Sequence, residues 1–260
     1  MLNINYINFN KKQKNIFKKR NYGYTYKVPY IIGITGSVAS GKTTIARLLR
    51  QFLSNFPNRP KVDLITTDCF LYSNDILNTL NILNKKGFPQ SYDINHLIKF
   101  IVNMKLGNKK VFAPIYSHKY YNIIQNKKQA FIQPDILIVE GLNIFQDYTN
   151  YLNENIFTSN FFDFSIYIDA PDYFLKVWYI NRFLEFCYFS DPNSYYYRYS
   201  KFNLNEIIGI ATFIWENVNK VNLEENIILT KKKANLIITK NYDHDLVKLK
   251  WKNYCSYLLN

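Results

Sequence analysis

The residues best suited to chemistry stand together near the amino-terminal third: Gly36-Ser37-Val38-Ala39-Ser40-Gly41-Lys42-Thr43 fits the phosphate-cradling pattern G-x-x-x-x-G-K-[ST]. Glycines at these places let the backbone curl so that successive N–H groups and a helix N-terminus converge on phosphate oxygens. Lys42 brings a positive charge to the terminal phosphates, and the Thr43 hydroxyl is suited to ligate Mg²⁺. Two acids follow short apolar runs, Asp68 after Val62–Thr67 and Glu140 after Ile136–Val139. Transfer of a phosphoryl group to a hydroxyl needs a group to take the acceptor's proton and cations to neutralise the migrating charge. Asp68 suits the first task, and Lys42, Mg²⁺ and Arg182 suit the second. Glu140 suits a metal or water ligand. Each has a plainer reading: Asp68 as a strand-end cap and Arg182 as a surface salt-bridge partner.

These groups need elements to hold them. Tyr30–Thr35 is an apolar run of strand type, and Ile45, Leu48, Leu49, Phe52 and Leu53 recur at the spacing of one helix face, so the glycine loop lies between strand and helix. Val62–Thr67, Ile136–Glu140, Phe162–Asp169 and Ala234–Thr239 read as further strands. Helices are expected from about Ile94 to near Gly107, after Asp172, and from about Asn205 to Asn219. Val111–Ile132, split by Pro114 and by a polar turn at Gln125–Lys128, reads as a hairpin insertion carrying Tyr116 and His118. Strands alternating with helices predict an α/β fold of three layers around a mainly parallel sheet, the P-loop NTPase arrangement, with a lid and hairpin insertion.

Composition narrows the classes. The chain has 260 residues, enough for one α/β domain, and a net charge of +14. Twelve Lys and Arg residues precede the first acid, Asp63, so residues 1–27 form a basic arm without apolar patterning, followed by a kinase-sized domain over 28–260. The arm carries no recognisable nucleic-acid module, and nucleic acid is not expected as a partner. Cys69, Cys187 and Cys255 are far apart, which indicates neither a disulfide framework nor a zinc site. No apolar run reaches the roughly 18 residues of a membrane span, so a cytoplasmic protein is expected.

Several blocks in order resemble the bacterial type I pantothenate kinases: Gly36–Thr43, Leu64–Asp68, Lys85–Asp93, Pro114–His118, Pro134–Asn143 and Trp178–Phe183. The resemblance runs from about Val28 to about Leu249. It implies ATP-dependent phosphorylation of the 4′-hydroxyl of pantothenate, the first step toward coenzyme A, with Mg²⁺. By position, Asp68 matches the family's base, and Lys42 and Thr43 its γ-phosphate and Mg²⁺ ligands. Tyr116, His118, Tyr179, Arg182 and Asn219 match residues that touch pantothenate or the transferred group. Phe183, Phe186, Tyr195 and Tyr199 match the aromatic wall of the pocket. On residue type alone, His118 reads equally well as a surface histidine and the aromatic cluster as packing. The resemblance also implies a homodimer, and inhibition by coenzyme A through Arg47 and His118. The alternatives are a kinase of the uridine kinase and phosphoribulokinase type, and a non-catalytic nucleotide-binding protein that works through its basic arm.

Overall fold

The computed structural model describes residues 27–146 and 161–252. Except for Lys27, the basic arm lies outside the described residues, as does Cys255.

The strands are β1 (Tyr30–Gly36), β2 (Val62–Thr66), β3 (Val111–Ser117), β4 (Asn122–Phe131), β5 (Ile136–Glu140), β6 (Phe164–Asp169), β7 (Leu236–Lys240) and β8 (Leu246–Trp251). The helices that matter for the site are α1 (Lys42–Ser54), α2 (Asn74–Thr79), α3 (Ile94–Lys105), α4 (Asp172–Tyr188) and α5 (Leu204–Ile214). Six strands form one sheet in the order β2-β5-β1-β6-β7-β8, parallel except for β8, and β3 and β4 pair separately as an antiparallel hairpin. β1 is central, with Ile32 beside Ile138 on one flank and beside Phe164 on the other. A strand covered on both faces reads as a continuous apolar run, and Ile31, Ile32 and Ile34 are all buried.

The two faces carry separate cores. Ile31, Leu137, Val139 and Tyr167 pack with Phe100 and Ile101 of α3, with Leu175 and Trp178 of α4, and with Trp215. On the opposite face Ile32, Ile34, Ile138, Ile166 and Ile168 pack with Ala46 and Leu53 of α1. This is the three-layer α/β arrangement expected from the alternation of strands and helices. All the parallel strands end with their carboxyl edges on one side, which brings the loops after β1, β2 and β5 together there.

Three details depart from the periodicity of the sequence. The hairpin reverses at His118–Tyr121, where Tyr121 N–H donates to His118 O at 3.3 Å, and not at the polar run Gln125–Lys128. That run lies inside β4 as a bulge, since pairing jumps from Pro114–Lys128 to Ile115–Ile124. Pro114 has no N–H for the ladder, so a break opposite it costs little. The helix expected to stop at Asn219 begins with an Asn203/Glu206 capping box and continues to Lys233. It passes through wide turns at Trp215–Asn219 and Leu223–Ile227, which shift its buried face and blur the helical period. Finally, β8 is wholly exposed on the sheet edge, so no buried alternation marks it in the sequence.

One close approach fixes the carboxyl edge. A Cβ built on Gly141, just past β5, would stand 1.8 Å from Thr67 Oγ1 and 2.8 Å from Thr67 Cβ. The loop after β2 and the end of β5 therefore touch through a missing side chain. Gly141→Ala is expected to destabilise the fold by about 1–3 kcal/mol, the usual cost of overpacking, read as a lower urea midpoint at unchanged m-value.

Candidate active site

The loop from Gly36 to Gly41 takes its shape from backbone conformations that side chains disfavour. Gly36 has φ +145°, and a Cβ there would sit 2.4 Å from Ile168 O; Gly41, which caps α1, has φ +86°. α1 has no side-chain cap, so its first N–H groups are left for a ligand. The hydroxyls of Ser37 and Ser40 are buried without a hydrogen-bond partner. Orphaned donors around a helix N-terminus are what an anionic phosphate chain satisfies.

Lys42 folds back over this loop and donates to Ser37 O at 2.7 Å. Burial pulls its pKa down to about 8; Glu140 and Asp68 oppose the shift and the Arg182 charge adds to it. Thr43 Oγ1 donates to Glu140 Oε1 at 3.0 Å. Burial raises the Glu140 carboxyl while Lys42 pulls it back. Thr43 and Glu140 thus pair two hard oxygen atoms at the foot of the phosphate loop, a donor set whose chemistry would fit Mg²⁺.

Asp68 sits in the tight turn Thr67–Phe70 directly after β2. The capping in that turn is done by Thr66, whose Oγ1 accepts from Asp68 N–H at 3.3 Å. No ion pair among the described residues ties down the Asp68 carboxylate, and its charge acts on Lys42, Lys86, Tyr116 and His118. His118, edge-on to Tyr116 at 5.1 Å, has its pKa lowered by burial. Asp68 opposes that shift, and Arg182, Arg47 and Lys86 reinforce it, so the imidazole is neutral at neutral pH. Lys42, Asp68, Glu140, Arg47, His118, Tyr116 and Arg182 therefore share one electrostatic neighbourhood.

The second group of expected residues forms an adjoining wall. The Arg182 guanidinium lies 5.1 Å from the Phe186 ring centre. Phe183 packs against Tyr199 at 5.2 Å and Tyr179 at 6.2 Å. Burial raises the Tyr179 phenol to about 12, with the Asn219 amide acting against it. Tyr195 joins this wall through a side-chain hydrogen bond with Tyr199 and ring contact with Tyr196 at 5.3 Å, and it also packs on Tyr121 of the hairpin at 4.5 Å. Tyr196, between Phe183 and Phe186, completes it.

Sequence reasoning passed over Lys86, Tyr121, Tyr196 and Lys240. Lys86 stands in a Lys-Lys-Gly run, yet it is buried, and burial lowers its pKa to about 8 against the pull of Asp68. Its Nζ donates to Asn74 Oδ1 and to Tyr121 O, each at 2.6 Å, and lies 4.1 Å from the Tyr121 ring centre. Lys240 ends β7 and donates to Ser40 O at 3.2 Å, beside the stacked rings of Trp178 and His244. The only signal for Lys86 was its place inside one of the blocks; Lys240 carried none. The buried ammonium groups of Lys42, Lys86 and Lys240 and the exposed Arg47 and Arg182 together set up a positive field on this side of the molecule, which attracts phosphates and leaves the Asp68 carboxylate available to a proton.

Comparison with known proteins gives a consistent result. A profile of the Phosphoribulokinase / Uridine kinase family matches residues 31–183. A protein named pantothenate kinase from Photorhabdus laumondii is 51% identical over 224 residues, covering 85% of this chain and 71% of the other. Another of that name from Histophilus somni is 50% identical over 249 residues, covering 94% and 78%. Among solved structures, D-glycerate 3-kinase from Cryptococcus neoformans superposes with a TM-score of 0.58 at 13% identity, covering 94% of this chain and 97% of that one. The phosphoribulokinase from Rhodobacter spheroides does so with 0.50 at 13% identity, covering 83% and 71%. At such identities the structural likeness speaks for the fold alone.

The state of Lys42 gives a test of the site's cost. Its folded pKa lies below the ordinary lysine value of 10.5, so the penalty for the buried charge is fully present below pH 8 and is relieved as pH rises toward 10.5. Ligand-free Lys42→Met is expected to exceed the wild type in stability at pH 7 by ~1–3 kcal/mol. The gap should narrow as the pH climbs through that window, as measured by urea denaturation.

Proposed function

The chain belongs to the Phosphoribulokinase / Uridine kinase family and, within it, to the pantothenate kinases; on that premise we propose that it transfers the γ-phosphoryl of ATP to the 4′-hydroxyl of pantothenate, the first step of coenzyme A synthesis. The reading is carried by the charge cluster beside the phosphate loop, in which Lys42, Lys86 and His118 each feel the Asp68 carboxylate and Arg182 acts on Lys42 and His118. The relatives' shared name, at about half identity over most of the chain, favours pantothenate over a uridine-type acceptor.

In this reading the N–H groups of the loop and of the α1 N-terminus bind the phosphates, and Lys42 exchanges its bond to Ser37 O for phosphate oxygens. Asp68 accepts the acceptor's hydroxyl proton as the oxygen attacks in line. Arg182, Lys86 and Lys42 stabilise charge on the migrating group, and closure of the aromatic wall excludes water from it. Mg²⁺, held through Thr43 and Glu140, supplies further neutralisation across the phosphates when bound. Tyr179 and Asn219 suit the polar groups of pantothenate, and Tyr116, Phe183, Phe186, Tyr195 and Tyr199 suit its branched apolar part. Arg47 and His118 suit the phosphates and adenine of coenzyme A as an inhibitor competing with ATP. A cytoplasmic homodimer completes the proposal.

Purified protein is expected to form 4′-phosphopantothenate from ATP and pantothenate, with uridine and ribulose 5-phosphate poor acceptors. Asp68→Asn should lower kcat by roughly 10²–10⁴-fold, the range of general-base catalysis, with little change in the KM for ATP. Uridine phosphorylation at a comparable rate, or an Asp68→Asn variant of near-wild-type kcat in a coupled ADP-release assay, would count against the assignment.

A further inference from the structure

Gly87 follows the buried lysine of the site in a loop between α2 and α3, and both of its polar backbone groups are held. Its N–H donates to Ser91 Oγ at 2.9 Å, and its carbonyl accepts from Asn143 Nδ2 at 2.5 Å and from Asn222 Nδ2 at 2.9 Å. Both asparagines are buried, 3% and 4% exposed, and each gives a side-chain N–H to this one carbonyl away from water. Asn222 is oriented in turn. Asn226 Nδ2 donates to Asn222 Oδ1 at 3.0 Å, which fixes the amide's acceptor side and turns its donor side to Gly87, and Gln146 Nε2 donates to Asn226 O at 2.7 Å.

The direction of this network is informative. Asn143 comes from the loop after β5 and Asn222 from the helical passage that also carries Asn219, yet they meet on the short link between two 3-10 turns, Leu83–Lys85 and Pro89–Ser91. Gly87 has φ +97°, which glycine adopts without strain; local bonds hold its neighbours, Lys86 N–H to Leu83 O and Phe88 N–H to Lys85 O, and the two asparagines hold its carbonyl. The residue before it, Lys86, must bring its ammonium between Asn74, Tyr121 O and the charge of Asp68. The wide turn ending at Asn219 sets Asn222 on the side of Gly87 while Asn219 faces Tyr179.

We infer that Asn222, with Asn143, is a positioning residue for phosphoryl transfer: by clamping the Gly87 carbonyl it fixes the main chain from which Lys86 reaches the reacting groups. The inference rests on the kinase reading above. It makes Asn222 matter to catalysis without touching substrate, through Lys86 alone.

The test uses full-length Asn222→Ala. Its first readout needs no substrate: acylation of lysines by acetic anhydride, followed by mass spectrometry, with the exposed neighbour Lys85 as internal reference. Lys86 should react severalfold faster in the variant than in the wild type. In the kinase assay kcat should fall by roughly tenfold or more with KM for ATP within about twofold, and in a Lys86→Met background the same substitution should change kcat by less than about twofold. Unchanged Lys86 labelling in a folded variant, or the same kcat loss in both backgrounds, would overturn the inference and leave a structural amide only. If Asn222→Ala does not fold, Asn226→Ala, which removes the group that orients the amide, takes both readouts with smaller effects of the same sign. A wild-type protein that is inactive on pantothenate refutes the kinase reading, whereas the labelling result still decides whether the clamp holds Lys86.

Discussion

The structure turns on keeping ammonium groups out of water before any anion arrives. Lys42 is buried against its own loop and Lys86 under Tyr121, and both have their pKa pulled down to about 8 by desolvation. Opposing carboxylates soften the penalty only in part, since Glu140 is buried too and Asp68 is shared among several partners. Such a site is destabilising on its own. The surplus has to come from the packed sheet beneath, where the apolar faces of β1 and β5 are fully buried on both sides. Phosphate binding then relieves a strain that the fold has already met, which is the physical content of preorganisation.

The frame that carries this charge is narrow. The loops after β1, β2 and β5 meet at one edge because their strands are parallel neighbours, and they meet closely because glycine stands where a side chain would collide. Gly36 lies against Ile168 O and Gly141 against Thr67. These two approaches fix the distance between the phosphate loop, the hydrogen-bonded pair Thr43–Glu140, and the turn that holds Asp68. The chemistry needs that spacing to within a fraction of an ångström.

The other side of the cleft is held differently. The hairpin turn and the segment after α4 are joined by Tyr195 N–H to Lys119 O at 2.8 Å, by the Lys119–Asp191 pair at 2.6 Å, and by the Tyr121–Tyr195 rings. The ion pair is half exposed at both ends and contributes little in water. Aromatic packing with few directional bonds joins these two segments more loosely than the parallel strands are joined.

Much of this was legible along the chain, because the relevant signals are local. A glycine loop between an apolar run and an amphipathic stretch announces a phosphate site, and an acid at a strand end announces its facing partner, since strand direction alone fixes where both lie. Thus Gly36–Thr43, Asp68 and Glu140 were readable by position, and the parallel strands by their apolar runs. The aromatic residues from Tyr179 to Tyr199 were singled out only through resemblance, since aromatic clusters have the same periodicity whether they line a pocket or fill a core. Lys86 was marked only by its place inside one of the resembling blocks, and Lys240 and the convergence of Asn143 and Asn222 on Gly87 were not readable at all. Burial, desolvation and hydrogen bonding between distant segments are properties of the packed chain, and nothing in residue order separates a solvated lysine from one sealed beneath a tyrosine. The order of residues determined what kind of ligand this protein holds; the folding of remote pieces against one another decided which charges face it and how firmly they are held.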